Sequence, residues 1–167
     1  MFKHYVHEGG ISTPLVAHWP KGFTPRTNAH AACHVVDILP TILEATGCAY
    51  QNEVGGHEIQ PIQGESLMDL FKGDEWERDQ PILWEHEGNA AVRLGQFKLV
   101  RQYGQAWELY DMEADRTELR NLAGMNPKLE AEMAAQYADW ATKIGVMEWD
   151  EALPRLLAAW NMESVDG

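Results

Sequence analysis

The stretch PILWEHEGNAAVRLGQFKLVRQYGQAWELYDM, Pro81 to Met112, decides the fold. It holds three extended segments, PILWEHEG, AAVRLGQFKLVRQ and WELYDM, rich in the β-branched and aromatic residues that suit a pleated surface. Gly88-Asn89 and Tyr103-Gly104-Gln105 separate them. Connections this short can join only antiparallel neighbours, so the segment predicts an antiparallel meander. Val92, Leu94, Phe97 and Leu99 fall in part on opposite faces, and Gly95 in the middle segment predicts a bulge.

Downstream, EADRTELRNLAGMNP is a turn region of Asp, Asn, Gly and Pro. A long helix follows it. Asn126 suits the N-cap and Pro127 the first helical position, while Met133, Tyr137, Trp140, Ala141 and Ile144 form one apolar stripe. A second, shorter amphipathic segment spans Leu153 to Trp160.

Upstream, Pro14 and Pro20 bracket an apolar run, Leu15 to Trp19, that reads as a buried strand. KGFTPRTNA is then polar loop. In HVVDILPTILEATG, Val35 and Val36 read as extended, and Asp37 reads as the N-cap of a helix. Pro40 then falls in the first turn, where its missing N–H has no intrahelical partner to lose. Ile38, Leu39, Ile42, Leu43 and Ala45 supply that helix's apolar face, and Gly47 closes it. SLMDLFKG predicts a short helix stopped by Gly73, and the charged DEWERDQ an exposed boundary. The expected class is α+β: an antiparallel sheet with a long C-terminal helix on it, preceded by a strand–helix remnant of a larger α/β domain. The expected division is 1–73 and 74–167.

A formal net charge of −13 excludes a nucleic-acid-binding role, since such a chain repels a phosphate backbone. No apolar run approaches the ~20 residues needed to span a bilayer, and no signal-peptide pattern opens the chain. The hydrophobic fraction of 45% is enough for a real core.

Candidate chemistry is sparse. Cys33 and Cys48 form no C-x-x-C and read as two buried free thiols, with a disulfide left open. No G-x-S-x-G, H-E-x-x-H, EF-hand or phosphate-loop pattern occurs, and no metal site is expected. His30 and His34 have helical spacing but no third ligand nearby, and Pro40 places the helix later. His86, between two glutamates at a strand end, reads as a turn histidine or as an entrance residue of a site. Arg93 and Lys98 read as surface or salt-bridge residues. KHYVHEGG, Lys3 to Gly10, gathers a point charge suited to anionic oxygens and a Gly-Gly pair that lets the backbone approach other groups.

The order of motifs carries more than any one of them. Lys3, Glu8, Gly9, Gly10 and Pro14 form K-x-x-x-x-E-G-G-x-x-x-P; HWP, DILPTILEATG and GESL follow, then LWEHEGNAAVRLGQFKLVRQ and WELYDMEADRTELRNLA. This succession closely resembles the later third of the sulfatases, the type I sulfuric ester hydrolases of the alkaline phosphatase superfamily, and of bacterial arylsulfatases in its second half.

The resemblance implies a mechanism for a complete enzyme. A Cys or Ser of a C-x-P-x-R signature becomes formylglycine, whose hydrate attacks sulfur, while a divalent cation, usually calcium, and basic side chains neutralise the sulfate oxygens. Lys3 would be one of those basic groups, with Glu8, Gly9 and Gly10 holding its loop. Neither cysteine here lies in that signature. The expectation is therefore a C-terminal portion of an arylsulfatase-like enzyme, inactive alone. Its partners would be an N-terminal catalytic portion and a sulfate ester. A phosphonate or phosphodiester hydrolase on the same scaffold is the first alternative. The second is a non-enzymatic module whose exposed apolar surface favours a homo-oligomer.

Overall fold

Four strands lie in the order in which the chain makes them: β3 (Ile82–His86), β4 (Asn89–Leu94), β5 (Phe97–Arg101) and β6 (Glu108–Asp111), each antiparallel to the next. The computed structural model describes residues 2–23 and 28–160. It divides into two compact units, Met1–Thr13 with Gln80–Gly167, and Pro14–Asp79. The N-terminal residues thus go with the sheet, and the later cut falls between Asp79 and Gln80, in the charged DEWERDQ segment.

The meander is as expected, but its turns differ. Glu87 and Gly88, with φ of 54° and 79°, form the two-residue link, and Asn89 already pairs with His86. Two positive φ values match the twist of flanking strands, which is why such links favour glycine. Gly95 is no bulge: Leu94 pairs with Phe97, so Gly95 (φ 54°) and Gln96 are the turn of a second hairpin. One long extended segment is therefore two strands.

Alternation along the strands sends side chains to two different layers. Ala90, Val92, Leu99 and Leu109 face α4 (Pro127–Ile144), meeting Met133 and Tyr137. Burying a side chain such as Leu99 or Met133 stabilises by about 1.5–3 kcal/mol. The helix starts as its sequence predicts: the Asn126 side chain accepts a hydrogen bond from the Leu129 N–H, and Pro127 opens the first turn. Gly145 closes it in the left-handed conformation. α5 (Trp149–Ala159) follows, covering the second amphipathic segment. Ala91, Val100 and Tyr110 point to the opposite face.

The unit Pro14–Asp79 departs further from expectation. Leu15–Trp19 joins no ladder among the described residues, and its apolar side chains are exposed. A strand needs a neighbour to satisfy its backbone groups, and the described residues supply none there. Part of the polar loop expected over residues 21–29 lies outside the described residues. Val35 and Val36 are not extended but open a 3-10 turn, Val35–Asp37, that leads into α2 (Ile38–Thr46). Pro40 does sit in the first turn and Gly47 does close the helix. Ile38, Leu39 and Ile42 are exposed, however, and Thr41 is the buried residue of α2.

Asp37 does not cap α2 with its side chain. Fully buried, it accepts from the backbone N–H groups of His34 (2.6 Å) and Glu65 (3.0 Å) and pairs with the Arg78 guanidinium. Thr41 extends the network, donating to the Asp37 carbonyl and accepting from the Leu67 N–H. Arg78 of the supposedly solvated charged segment is thus a structural cation. It also stacks over Trp76, whose indole donates to the Ser66 carbonyl. Two elements complete the unit. A hairpin of β1 (Glu53–Val54) and β2 (His57–Glu58) turns on Gly55-Gly56. The short α3 (Met68–Lys72) is stopped by Gly73 as expected.

Cys33 is half-buried and free, and its surroundings raise its pKa, through burial first and then the Asp37 carboxylate. Cys48 is also free but exposed, against the expectation of two buried thiols. His30 and His34 precede the helix and do not share a helical face.

Candidate functional site

The free face of the sheet is covered by the chain's own start. Val6 is buried among Ala91, Val100, Tyr110 and Met112, with Ile11 and Trp84 beside it. Ala91 opposite Val100 leaves the sheet shallow enough for this segment to sit close. A turn at its beginning (Tyr5 N–H to Phe2 carbonyl) precedes α1, the single helical turn Glu8–Ile11. Gly10 is needed there. A Cβ on it would lie 1.9 Å from the Tyr5 carbonyl oxygen and 2.8 Å from that of Phe2, both backbone atoms. Gly9 occupies the same turn and is exposed.

Polar contacts fix the segment in register. Lys98 points from β5 into this layer and is fully buried, its ammonium 3.0 Å from Glu8 and 2.7 Å from Glu118. Glu118 also accepts from the Glu8 backbone N–H at 2.8 Å. Lys98 lies within 5.9 Å of the Trp84 ring. The pairing half of the sequence expectation for Lys98 stands, while a surface position does not. His7, only 3% exposed, meets Glu108 through Nε2 at 3.0 Å; its Nδ1 has no partner among the described residues. Tyr110 donates to the same Glu108 oxygen, and burial followed by that carboxylate pushes its hydroxyl pKa well up.

At the outer end, Asn89 holds the segment to the β3–β4 hairpin. Its amide donates to the carbonyls of His4 and His86, both at 2.9 Å, and its oxygen accepts from the Tyr103 N–H. His4 Nδ1 lies 2.7 Å from Glu87 Oε2, and the His4 and His86 rings stack with centroids 5.8 Å apart. Lys3, next in the chain, is exposed. Of the residues singled out in the sequence, Lys3 and His86 thus come to one edge of the unit, and Glu8 lies at the buried base of the same segment. The sequence reading assigns His4 and Glu87 no role and Asn89 only a place in a turn. Their signal was present, since two imidazoles and a carboxylate flank a predicted turn, but only the pairing of residue 4 with a hairpin more than 80 positions away makes it readable.

Among the described residues, one group of three could share an ion: His4, His86 and Glu87. Two imidazole nitrogens and one carboxylate do not fit calcium, which takes six to eight oxygen ligands. The calcium implied by the resemblance finds no matching donor set in these three residues.

Residues 1–140 match the family model described as N-sulphoglucosamine sulphohydrolase, C-terminal. An uncharacterized sulfatase of Schizosaccharomyces pombe is 30% identical over 152 residues, 87% of this chain and 27% of that protein. Choline-sulfatase of Rhizobium meliloti is 31% identical over 134 residues, 76% of this chain and 24% of that protein. N-acetylglucosamine-6-O-sulfatase of Bacteroides thetaiotaomicron is 27% identical over 128 residues, covering 73% and 23%. The chain therefore spans about a quarter of the curated relatives it matches. Among solved structures, that of Ps i-CgsB superposes with a TM-score of 0.60 at 25% identity, over 74% of this chain and 27% of the other.

Proposed function

This chain belongs to the C-terminal family of the sulfatases, and from that premise we propose that it completes the sulfate site of a sulfuric ester hydrolase. Lys3 binds a sulfate oxygen and stabilises negative charge as the ester bond breaks. The antiparallel sheet and α4 form a cap beside the substrate entrance, with His86 at its edge. On this reading residues 1–73 continue the catalytic α/β part, the first thirteen of them packing on the sheet, and residues 74–167 are the capping subdomain. An N-terminal catalytic portion supplies the formylglycine nucleophile and the divalent cation. The exposed Leu15, Val16, Ile38, Leu39 and Ile42 are apolar surface suited to that portion.

The observation that carries this reading is the anchoring of Lys3. The residue itself is exposed, while the segment behind it is held by the buried Lys98–Glu8–Glu118 cluster and by Asn89 on the neighbouring carbonyl. A catalytic cation must be held in place before substrate arrives, and an anchored backbone behind Lys3 supports that role.

In an active protein containing this chain, Lys3→Ala lowers sulfate ester turnover about 10²–10³-fold with unchanged thermal unfolding. Turnover within a few-fold of the parent would overturn the role of Lys3. Metal-dependent aryl sulfate hydrolysis by the 167-residue chain alone would overturn the division of labour.

A further inference from the structure

The geometry of His4, His86 and Glu87 points to a divalent transition-metal site of the zinc type, which we propose as a second function of this edge. Two chain segments supply it: the N-terminal turn gives His4, and the β3–β4 hairpin gives His86, the last residue of β3, and Glu87, the first of the link. The ligand atoms lie within 4.8 Å of one another. His4 Nδ1 is 2.7 Å from Glu87 Oε2, and His86 Nε2 is 3.9 Å from Glu87 Oε1.

With Zn–N and Zn–O bonds of roughly 2.0–2.1 Å, tetrahedral geometry places ligand atoms about 3.3 Å apart. An ion bound through one Glu87 oxygen opens the 2.7 Å contact to His4 by about 0.6 Å and draws in the other ligand atoms, which already lie within 4.8 Å of one another. The backbone need not move. Asn89 clamps the carbonyls of both histidine residues, the β3–β4 ladder fixes His86, and Glu87 is held at φ 54° by the turn.

The donor set selects the metal class. Imidazole with carboxylate suits zinc, cobalt or nickel and disfavours calcium and magnesium, which need more oxygen ligands. The side chains of His4 and His86 are about half exposed, which leaves a fourth position open to water. A plain His4–Glu87 ion pair accounts for the shorter contact but gives no reason for His86 to stack against it. His86 therefore separates the two readings. The ligand set is independent of the sulfate ester reading and can be tested without any substrate.

The test uses the 167-residue chain freed of metal by chelation, titrated with Zn²⁺ by calorimetry and with Co²⁺ by visible absorption. One ion binds per chain, and Co²⁺ gives the intense bands of a low-symmetry site. His86→Ala and Glu87→Gln each weaken binding at least about tenfold, since removing a direct ligand costs no less than removing a residue behind it. Circular dichroism of both variants matches the parent. The proposal is overturned if no stoichiometric binding occurs, or if both variants bind as the parent does, which would place the ion on histidines or thiols elsewhere. Displacement of Zn²⁺ by an equal concentration of Ca²⁺ would overturn the metal class.

Discussion

The Lys98 ammonium lies between two carboxylates, 3.0 Å from Glu8 and 2.7 Å from Glu118, and no part of Lys98 reaches solvent. Glu8 belongs to the N-terminal segment, Lys98 to β5, and Glu118 to the turn region after β6, so one cation ties three separate pieces of chain. Burying a charge is costly, but removing one partner of a buried set is worse, because it leaves the others unpaired. Lys98→Met therefore lowers the stability of the sheet unit by about 3–5 kcal/mol. Urea unfolding followed through tryptophan fluorescence checks this, Trp84 lying beside the ammonium. A loss under about 1 kcal/mol would show that the cluster contributes little beyond packing.

Gly10 sets the path of the same segment. Its φ is not in the left-handed region, so strain in its own dihedrals is not the reason for glycine there. The reason is space: a Cβ would overlap the Tyr5 and Phe2 carbonyl oxygens, which belong to backbone and cannot rotate away. Gly10→Ala is expected to cost about 1–3 kcal/mol, as overpacking does. Because the displaced residues flank Lys3, the role proposed for Lys3 requires turnover by an active protein containing this chain to fall along with stability. Amide hydrogen exchange across residues 2–11 measures the local part, and unchanged protection there would contradict the steric account.

The sheet was legible in the sequence because its signals are local: apolar alternation, short glycine-bearing links, and an Asn-Pro helix start. The two-residue turn at Gly95 was misread as a bulge because one glycine inside an apolar run fits either. The Pro14–Asp79 unit was harder, since its stability rests on Asp37 and Arg78, 41 residues apart, and no period marks such a pair. In the candidate site, Lys3 and Glu8 stood out by motif. Lys98 did not, because a lysine on an alternating strand reads as solvent-facing until the N-terminal segment is seen to cover that face. His4 and Glu87 gain meaning only from Asn89, whose amide joins the two ends of the site.

The polar residues of WELYDMEADRTELRNLA act on the backbone that turns the chain back after β6. Asp111 accepts from the Glu113 and Ala114 N–H groups, and Asp115 from those of Leu119 and Arg120, both at 2.7 Å. Asn121 accepts from Leu109 and Ala123, and Glu118 reaches Lys98. Hydrogen bonds from backbone amides favour the charged carboxylate, so the pKa values of Asp111 and Asp115 lie below the usual aspartate range, those amides being the leading cause. In the unfolded chain both return to about 3.9. The unfolded state then binds more protons than the folded one as the pH falls, so stability must drop in that direction. The stabilisation is fully present above the unfolded pKa and is lost as pH falls through the lower folded values. Unfolding midpoints measured from pH 6 downward should therefore hold level and then decline below about pH 4. Asp115→Asn, which keeps an acceptor oxygen but no charge, should make that decline shallower and lower the plateau above it. An unaltered acid slope in this variant would mean that the Asp115 carboxylate is not held charged by the Leu119 and Arg120 amides.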